Sequence, residues 1–175
     1  MRRSICYCEP KAALAGASHT WKFTFIPSEA LPSDAKLKFD MQTEGRDIDW
    51  QIPQIDVKKG KNAIWLIMPD GKQVTATCVG NHENPAQFEF TLPAEVAEGE
   101  EVVICVGDTS EEPSESNSNH AQTYIQRRRP LYLYIDTKGK GEYKDPEVFH
   151  LDVKGNKLHN IRIIAPSMVS KNQRF

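Results

Sequence analysis

Cys6 and Cys8 are the first residues along the chain whose type and spacing suggest chemistry. Two thiolates one residue apart can bind zinc, but a structural site needs four ligands, usually with a second close pair. Cys78 and Cys105 stand alone, and His19, His82, His120, His150 and His159 are scattered. On a strand, Cys6 and Cys8 share one face and Tyr7 takes the other. The spacing points to two small core-facing residues, and no metal or other cofactor is expected. Nucleophile arrangements are missing too: the sequence holds no Gly-x-Ser-x-Gly elbow and no phosphate-cradling Gly-x-x-x-x-Gly-Lys loop. Carboxylate pairs such as Asp47 and Asp49 are plentiful. Glycosidase chemistry needs a defined separation across a cleft, which spacing does not supply. No catalytic residue is therefore expected. A small metal protein using Cys6, Cys8 and a histidine is the enzyme-like alternative.

Binding chemistry is better represented. The run from Tyr124 to Tyr134 mixes basic and aromatic residues, as a β platform that stacks bases does. On a strand, Ile125, Leu131, Leu133 and Ile135 share one parity and face the core, while Tyr124, Tyr132 and Tyr134 take the other. Pro130 interrupts this register, so the two halves need not share a face. The tyrosines suit a neighbouring domain or strand better than nucleic acid. Arg127, Arg128 and Arg129 are expected to be solvated or paired with carboxylates, with anion binding as the lesser case. Trp50, after Asp47 and Asp49, offers a stacking face for a sugar or small ligand, or else packs on the core edge. The candidate binding residues are thus Tyr132, Tyr134, Trp50, Arg127 and Arg129.

These residues need a frame, and the frame is written in strands. Alternation of apolar and polar residues marks 21–25, 37–41, 87–92 and 147–153 as half-buried strands. Residues 63–68 and 102–106 are apolar on both parities, which suits strands covered on both faces or at a domain contact. Further strands are expected at 4–8, 73–79, 123–128, 131–135 and 158–164. Pro69-Asp70-Gly71 between two apolar runs marks a hairpin. Residues 94–100 hold one short helical turn at most. Residues 108–119, DTSEEPSESNSN, carry four acids, no base and no large apolar side chain. Such a segment cannot repay its ordering entropy and is expected to be a mobile loop. The pattern as a whole predicts an all-β, antiparallel sandwich. Cys8, Trp21 and Cys78 mimic the Cys-Trp-Cys spacing of an immunoglobulin domain, but Ala76 stands at the tyrosine-corner position, so four thiols are expected instead.

Composition sets the outer bounds. The chain has 175 residues, 22 Lys and Arg, 24 Asp and Glu, and a net charge of −2. That balance excludes a globally basic nucleic-acid binder and an acidic disordered chain. No apolar run approaches the roughly 18 residues of a membrane span. Arg2-Arg3 mimics a signal-peptide start, but Glu9-Pro10-Lys11 arrives before any apolar stretch, so a cytoplasmic location is expected.

The opening Ala15-Gly16-Ala17-Ser18-His19-Thr20-Trp21-Lys22-Phe23-Thr24-Phe25 resembles a family of large, poorly characterised bacterial proteins that carry a domain of unknown function. So do Arg127 to Asp136, Gly139 to Tyr143, and the passage from Ile161 to Phe175 with its Ala165-Pro166-Ser167. In that family, immunoglobulin-like β domains precede a metal-dependent, phosphoesterase-like hydrolase domain. The resemblance implies an immunoglobulin-like antiparallel β-sandwich over residues 1–165. It also implies that residues 166–175 start a following domain, in keeping with a short likeness between the two ends of the chain. The family's metal ligands belong to the later domain, and no such motif occurs here. Lys138 and Lys140 flank Gly139, which argues against a calcium loop there. The expected role is a non-enzymatic accessory or interaction domain, with a stand-alone binding module as the alternative. Its partner is an adjacent domain of the same polypeptide or another protein, with no membrane. An exposed edge strand near residues 161–164 would also allow a homodimer.

Overall fold

The structure, a computed structural model, describes residues 3–156. The expected strand at 158–164, the boundary at 165, the start of a following domain at 166–175 and the dimerising edge at 161–164 lie outside the described residues. In chain order the strands are β1 (Ile5–Glu9), β2 (Ala12–Leu14), β3 (Ser18–His19), β4 (Trp21–Ile26), β5 (Lys36–Asp40) and β6 (Ala63–Ile67). They continue with β7 (Gln73–Thr75), β8 (Thr77–Cys78), β9 (Gln87–Thr91), β10 (Val102–Gly107), β11 (Asn119–His120), β12 (Gln126–Asp136) and β13 (Glu147–Lys154).

The fold is an all-β sandwich. One sheet has the order β1-β4-β10-β6-β7, the other β2-β13-β12-β5-β9-β8, and β3 and β11 form a small pair beside them. The pairings are antiparallel except that of β2 with β13, which is parallel. The period-2 pattern explains the core. Phe23 and Phe25 of one sheet face Leu37, Phe39, Leu131, Leu133 and Phe149 of the other, all buried. Phe23 meets Phe39 at 5.0 Å and Phe149 at 5.6 Å between ring centroids, bridging the sheets. Truncating such a ring to alanine costs about 3–5 kcal/mol.

β6 and β10 are covered on both faces, as their unbroken apolar runs predict. Ala63, Trp65 and Cys105 form a second small cluster, with Val57, Ile67 and Val103 packed against it. Val57 belongs to a short 3-10 turn, Val57–Lys59, capped by Asp56 and closed by Gly60 at φ 70°. The Pro69-Asp70-Gly71 hairpin joins β6 to β7, with Gly71 at φ 83°.

Residues 94–100 stay within the limit of one helical turn and form none, and Val96 bridges Leu31. Several other expectations need correction. The run 73–79 splits into β7 and β8, which belong to different sheets. Residues 123–125 precede the strand that starts at Gln126, and that strand runs unbroken through Pro130. Pro130 pairs with His150, so it does not interrupt the register. The interruption lies at Arg128, whose φ is 49°. Between Gln126↔Val153 and Arg129↔Leu151, β12 takes three steps against two on β13, a β-bulge.

The acidic segment 108–119 also has a frame that its composition hid. Asp108 is buried, and its carboxylate accepts bonds from the Ser110 and Ser114 amides at 2.9 and 2.8 Å and from both serine hydroxyls. At the other end Asn119 is fully buried among Trp21, Trp50, Gln51 and Asn62.

Candidate functional site

The outer face of the six-stranded sheet carries the expected tyrosines. After the bulge, Leu131 and Leu133 point inward, so Tyr132 and Tyr134 stand outward and half-buried. Their ring centroids are 6.3 Å apart. Tyr143, from the loop after β12, meets Tyr134 edge-on at 6.4 Å. Lys38 Nζ of β5 lies 4.8 Å from the Tyr134 centroid and 4.3 Å from that of Tyr143, a cation held between two ring faces. The Tyr143 hydroxyl donates to Glu89 of β9, which also pairs with Lys36 Nζ at 3.0 Å. Burial pushes the Tyr143 hydroxyl well above its ordinary value, and the Glu89 carboxylate adds to this. Burial alone would raise Glu89, but bonds from Tyr143 and Lys36 outweigh it and hold the carboxyl below its usual range. The rings are thus held in orientation by their neighbours.

The bulge decides the fate of the neighbouring residues. Residues before it are turned over, so Ile125 is 66% exposed rather than core-facing, and Arg127 is exposed. Arg129, on the parity of Leu131, is buried instead of solvated. Its Nε donates to Gln122 Oε1 at 2.7 Å, and its Nη2 donates to the Met41 and Gln42 carbonyls at 2.6 and 3.1 Å. Burial lowers its pKa to about 10, so it stays charged at neutral pH. The guanidinium carbon sits 4.9 Å from the Trp50 ring centre. Trp50 is fully buried, stacked edge-on against Trp21 at 5.0 Å, and gives no stacking face to a ligand. Its Nε1 donates to Asn119 Oδ1 at 2.6 Å, so even its polar tip is committed. Trp50 and Arg129 therefore belong to the interior beside the site, while Tyr132 and Tyr134 come together on the surface and Arg127 stands apart from them across the bulge.

A second feature lies at Asp47, Asp49 and Trp50, where the sequence offers a sugar or small-ligand site as one of two expectations. Loop residues 45–52, the β11 region and Gly16 enclose a cleft of about 470 Å3. Arg46 and Asp49 form a two-pronged ion pair on its wall, with Nε–Oδ2 2.9 Å and Nη2–Oδ1 3.0 Å. The bond from Arg46 is the main reason the Asp49 carboxyl lies below its ordinary range. Because Asp49 is committed to Arg46 and Asp47 is exposed, the two do not act as a pair of acids. His120 Nδ1 meets Ser18 Oγ at 2.8 Å, and the His120 amide donates to Gln51 Oε1 at 3.0 Å. Ser18 and His120 are 102 positions apart, so no spacing rule brings them together.

Among the described residues no group of three or more His, Cys, Asp or Glu side chains is placed to hold a metal ion. The four cysteines are free thiols. Burial pushes Cys6 and Cys8 up to about 12 and Cys105 up to about 11, which makes them poor thiolates. Cys78 is exposed on β8. Among the described residues no helix is long and apolar enough to cross a membrane.

Comparison with known proteins gives relatives of matching sequence but greater length. The whole chain aligns with an uncharacterised protein of Chlamydia pneumoniae at 44% identity over 177 residues, covering 28% of that protein. Uncharacterised proteins of Chlamydia trachomatis serovar D and Chlamydia muridarum align at 45% identity over 179 residues, again across the whole chain and 28% of theirs. No family model and no solved structure matches. The chain is therefore similar to uncharacterised chlamydial proteins and spans about a quarter of their length.

Proposed function

We propose that this chain is a non-catalytic accessory module of a longer bacterial protein, and that it contacts its partner through the tyrosine face of β12 and β5. The observation that carries this reading is the Tyr132–Tyr134–Tyr143 group around Lys38. Aromatic rings held by their neighbours supply contact area with little ordering entropy left to lose. The greater length of the chlamydial relatives supplies a candidate partner, the remainder of the same polypeptide. A hydrolase domain there belongs to this reading through the family resemblance alone, and a cytoplasmic location through Glu9-Pro10-Lys11 following Arg2-Arg3 before any apolar stretch.

The strand order supports an immunoglobulin-like sandwich within residues 1–165. β1-β4-β10-β6 follows the ABED order and β13-β12-β5 the GFC order, with the first strand split between the sheets. One departure is that β6 and β7 come before β9 in the chain, although β9 is the neighbour of β5.

Hydroxyl-radical footprinting of the longer polypeptide tests the contact. Tyr132 and Tyr134 should be several-fold less reactive there than in the 175-residue chain. Tyr132→Ala with Tyr134→Ala should weaken the contact at least tenfold without unfolding the sandwich. Equal reactivity in the two proteins would sink the assignment. A second reading, a small-ligand module, draws on the cleft, whose size falls in the roughly 300–1,000 Å3 range of ligand sites.

A further inference from the structure

The walls of the cleft beside Trp50 are hydrogen-bonded to each other. The Gln51 amide donates to the His120 carbonyl at 3.0 Å, and the His120 amide returns a bond to Gln51 Oε1 at 3.0 Å. The Thr123 amide donates to the Ile48 carbonyl at 2.9 Å, and the Gly16 amide to the Gln122 carbonyl at 2.9 Å. Loop 45–52, residues 120–123 and Gly16 are thus one frame around about 470 Å3. Gly16 and Gly45, at φ 73° and 79°, line this space without side chains of their own. A Cβ on Gly16 would meet nothing closer than Thr123 Cγ2 at 3.9 Å, so the gap between the two is open.

The chemistry of the lining selects among ligands. Arg46, Asp47 and Asp49 bring one positive and two negative charges, so a phosphate or carboxylate meets an adverse balance. Trp50 is fully buried and offers no ring face, which removes the stacking that a nucleobase uses. What remains is hydrogen bonding of both kinds. The Arg46 guanidinium carries more N–H donors than the two it gives to the Asp49 carboxylate. Asp47 is exposed and, when ionised, only accepts. The Gln51 side chain accepts through Oε1, and its amide nitrogen is a donor. On the other wall, Ser18 Oγ holds His120 Nδ1 at 2.8 Å, and the Thr123 hydroxyl donates to the Ile48 carbonyl at 3.3 Å while its lone pairs can still accept. Donors interleaved with acceptors match the hydroxyl, which is both at once. The volume falls in the lower half of the roughly 300–1,000 Å3 range of ligand sites, which suits one or two rings rather than a long chain.

We propose that this cleft binds a neutral, hydroxyl-rich ligand, a mono- or disaccharide, through Arg46, Asp47, Gln51, His120 and Thr123. The proposal rests on the small-ligand reading of the cleft and is independent of the tyrosine face. Arg46 and Asp49 hold each other in place, so N–H groups stand beside carboxylate oxygens and neighbouring hydroxyls of one ring can bridge the two. Hydrogen bonds that replace those of water contribute only about 0.5–1.5 kcal/mol each, so the affinity is millimolar.

Amide NMR shifts of the 175-residue chain test this. The neutral probes are glucose, maltose and N-acetylglucosamine, the anionic probe is glucose 6-phosphate and the stacking probe is adenosine, each added to about 20 mM. At least one neutral sugar should shift the amides of 45–52 and 120–123 and saturate in the millimolar range, leaving 131–134 unmoved. Arg46→Ala should weaken that binding at least tenfold. If this variant loses the signal dispersion of the folded sandwich, Thr123→Phe, at an exposed lining position, obstructs the cleft and gives the same readout. No shift in the cleft from any probe overturns the proposal and the small-ligand reading together. Shifts there from glucose 6-phosphate or adenosine alone, or at lower concentration than from any neutral sugar, overturn the proposal and leave that reading standing. Neutral-sugar binding that is unchanged in both variants also overturns it.

Discussion

The tyrosine face and the corner that carries Leu14, Ile48 and Ile125 stand at the two sides of one bulge, and they treat ring and methyl groups in opposite ways. On the face, each half-buried aromatic already has a neighbour: Tyr132 has Tyr134, Tyr134 has Lys38, and Tyr143 has Glu89. At the corner, the side chains of Leu14, Ile48 and Ile125 are about half exposed or more. The first surface is held in one arrangement by its own contacts. The second leaves its apolar groups in solvent. The one extra residue at Arg128 creates the division, because it turns Ile125 and Arg127 outward while Arg129 and Leu131 point in.

Arg129 joins the two regions from beneath, so removing it should have the largest effect. Arg129→Ala leaves the Met41 and Gln42 carbonyls and Gln122 Oε1 without their donor. A loss of about 3 kcal/mol in a urea unfolding curve is expected. The face alone should respond to Glu89→Gln, which weakens the ties to Tyr143 and Lys36 for a loss of about 1 kcal/mol. The same residue gives a pH signature. Its folded carboxyl titrates below its unfolded value of about 4.3, so its contribution is present above that pH. The contribution fades as pH falls through the folded pKa, and Glu89→Gln should flatten that part of an acid-unfolding profile. The bulge itself should gain from Arg128→Gly, since a left-handed φ of 49° suits glycine; about 0.5–1 kcal/mol of added stability is expected. A loss instead would mean that the Arg128 side chain contributes to the fold. The smallest effect should come at the corner. Ile125→Ser should change global stability by less than about 0.5 kcal/mol, because the side chain is already 66% exposed.

What the sequence made legible follows from local periodicity. Alternation located β4, β5, β9 and β13, and unbroken apolar runs located β6 and β10 with both faces covered. Proline 69 to glycine 71 carried its own turn chemistry. Parity on β12 was correct for Leu131 and Leu133 and failed at Ile125, while Arg129, which shares the parity of Leu131, was expected in solvent or beside a carboxylate and is buried. Charge misled there, because a buried guanidinium can be satisfied by carbonyls of residues 88 and 87 positions away, Met41 and Gln42. The bulge carried no signal, since arginine is not the residue that usually marks a left-handed φ. The cleft was legible only on one wall, at Asp47, Asp49 and Trp50. Its other wall was hidden, because Ser18 and His120 meet only through the β3–β11 pairing of two distant, two-residue strands. The acidic loop misled by composition alone. Its serines read as disorder when counted, and as ligands for Asp108 when placed.

The parallel pairing of β2 with β13 has a mechanical meaning. Parallel strands at the two ends of a sandwich send the incoming chain toward one pole and the outgoing chain toward the other. Tension applied along a longer polypeptide would therefore load Ala12–Leu14 against Asp152–Lys154 in shear. The bonds of that short ladder would bear the force together rather than open one at a time, as they would in a peeled hairpin. Resistance to pulling would then depend on these three residue pairs and on the five β1–β4 pairs that precede them in the chain, more than on the size of the hydrophobic core behind them.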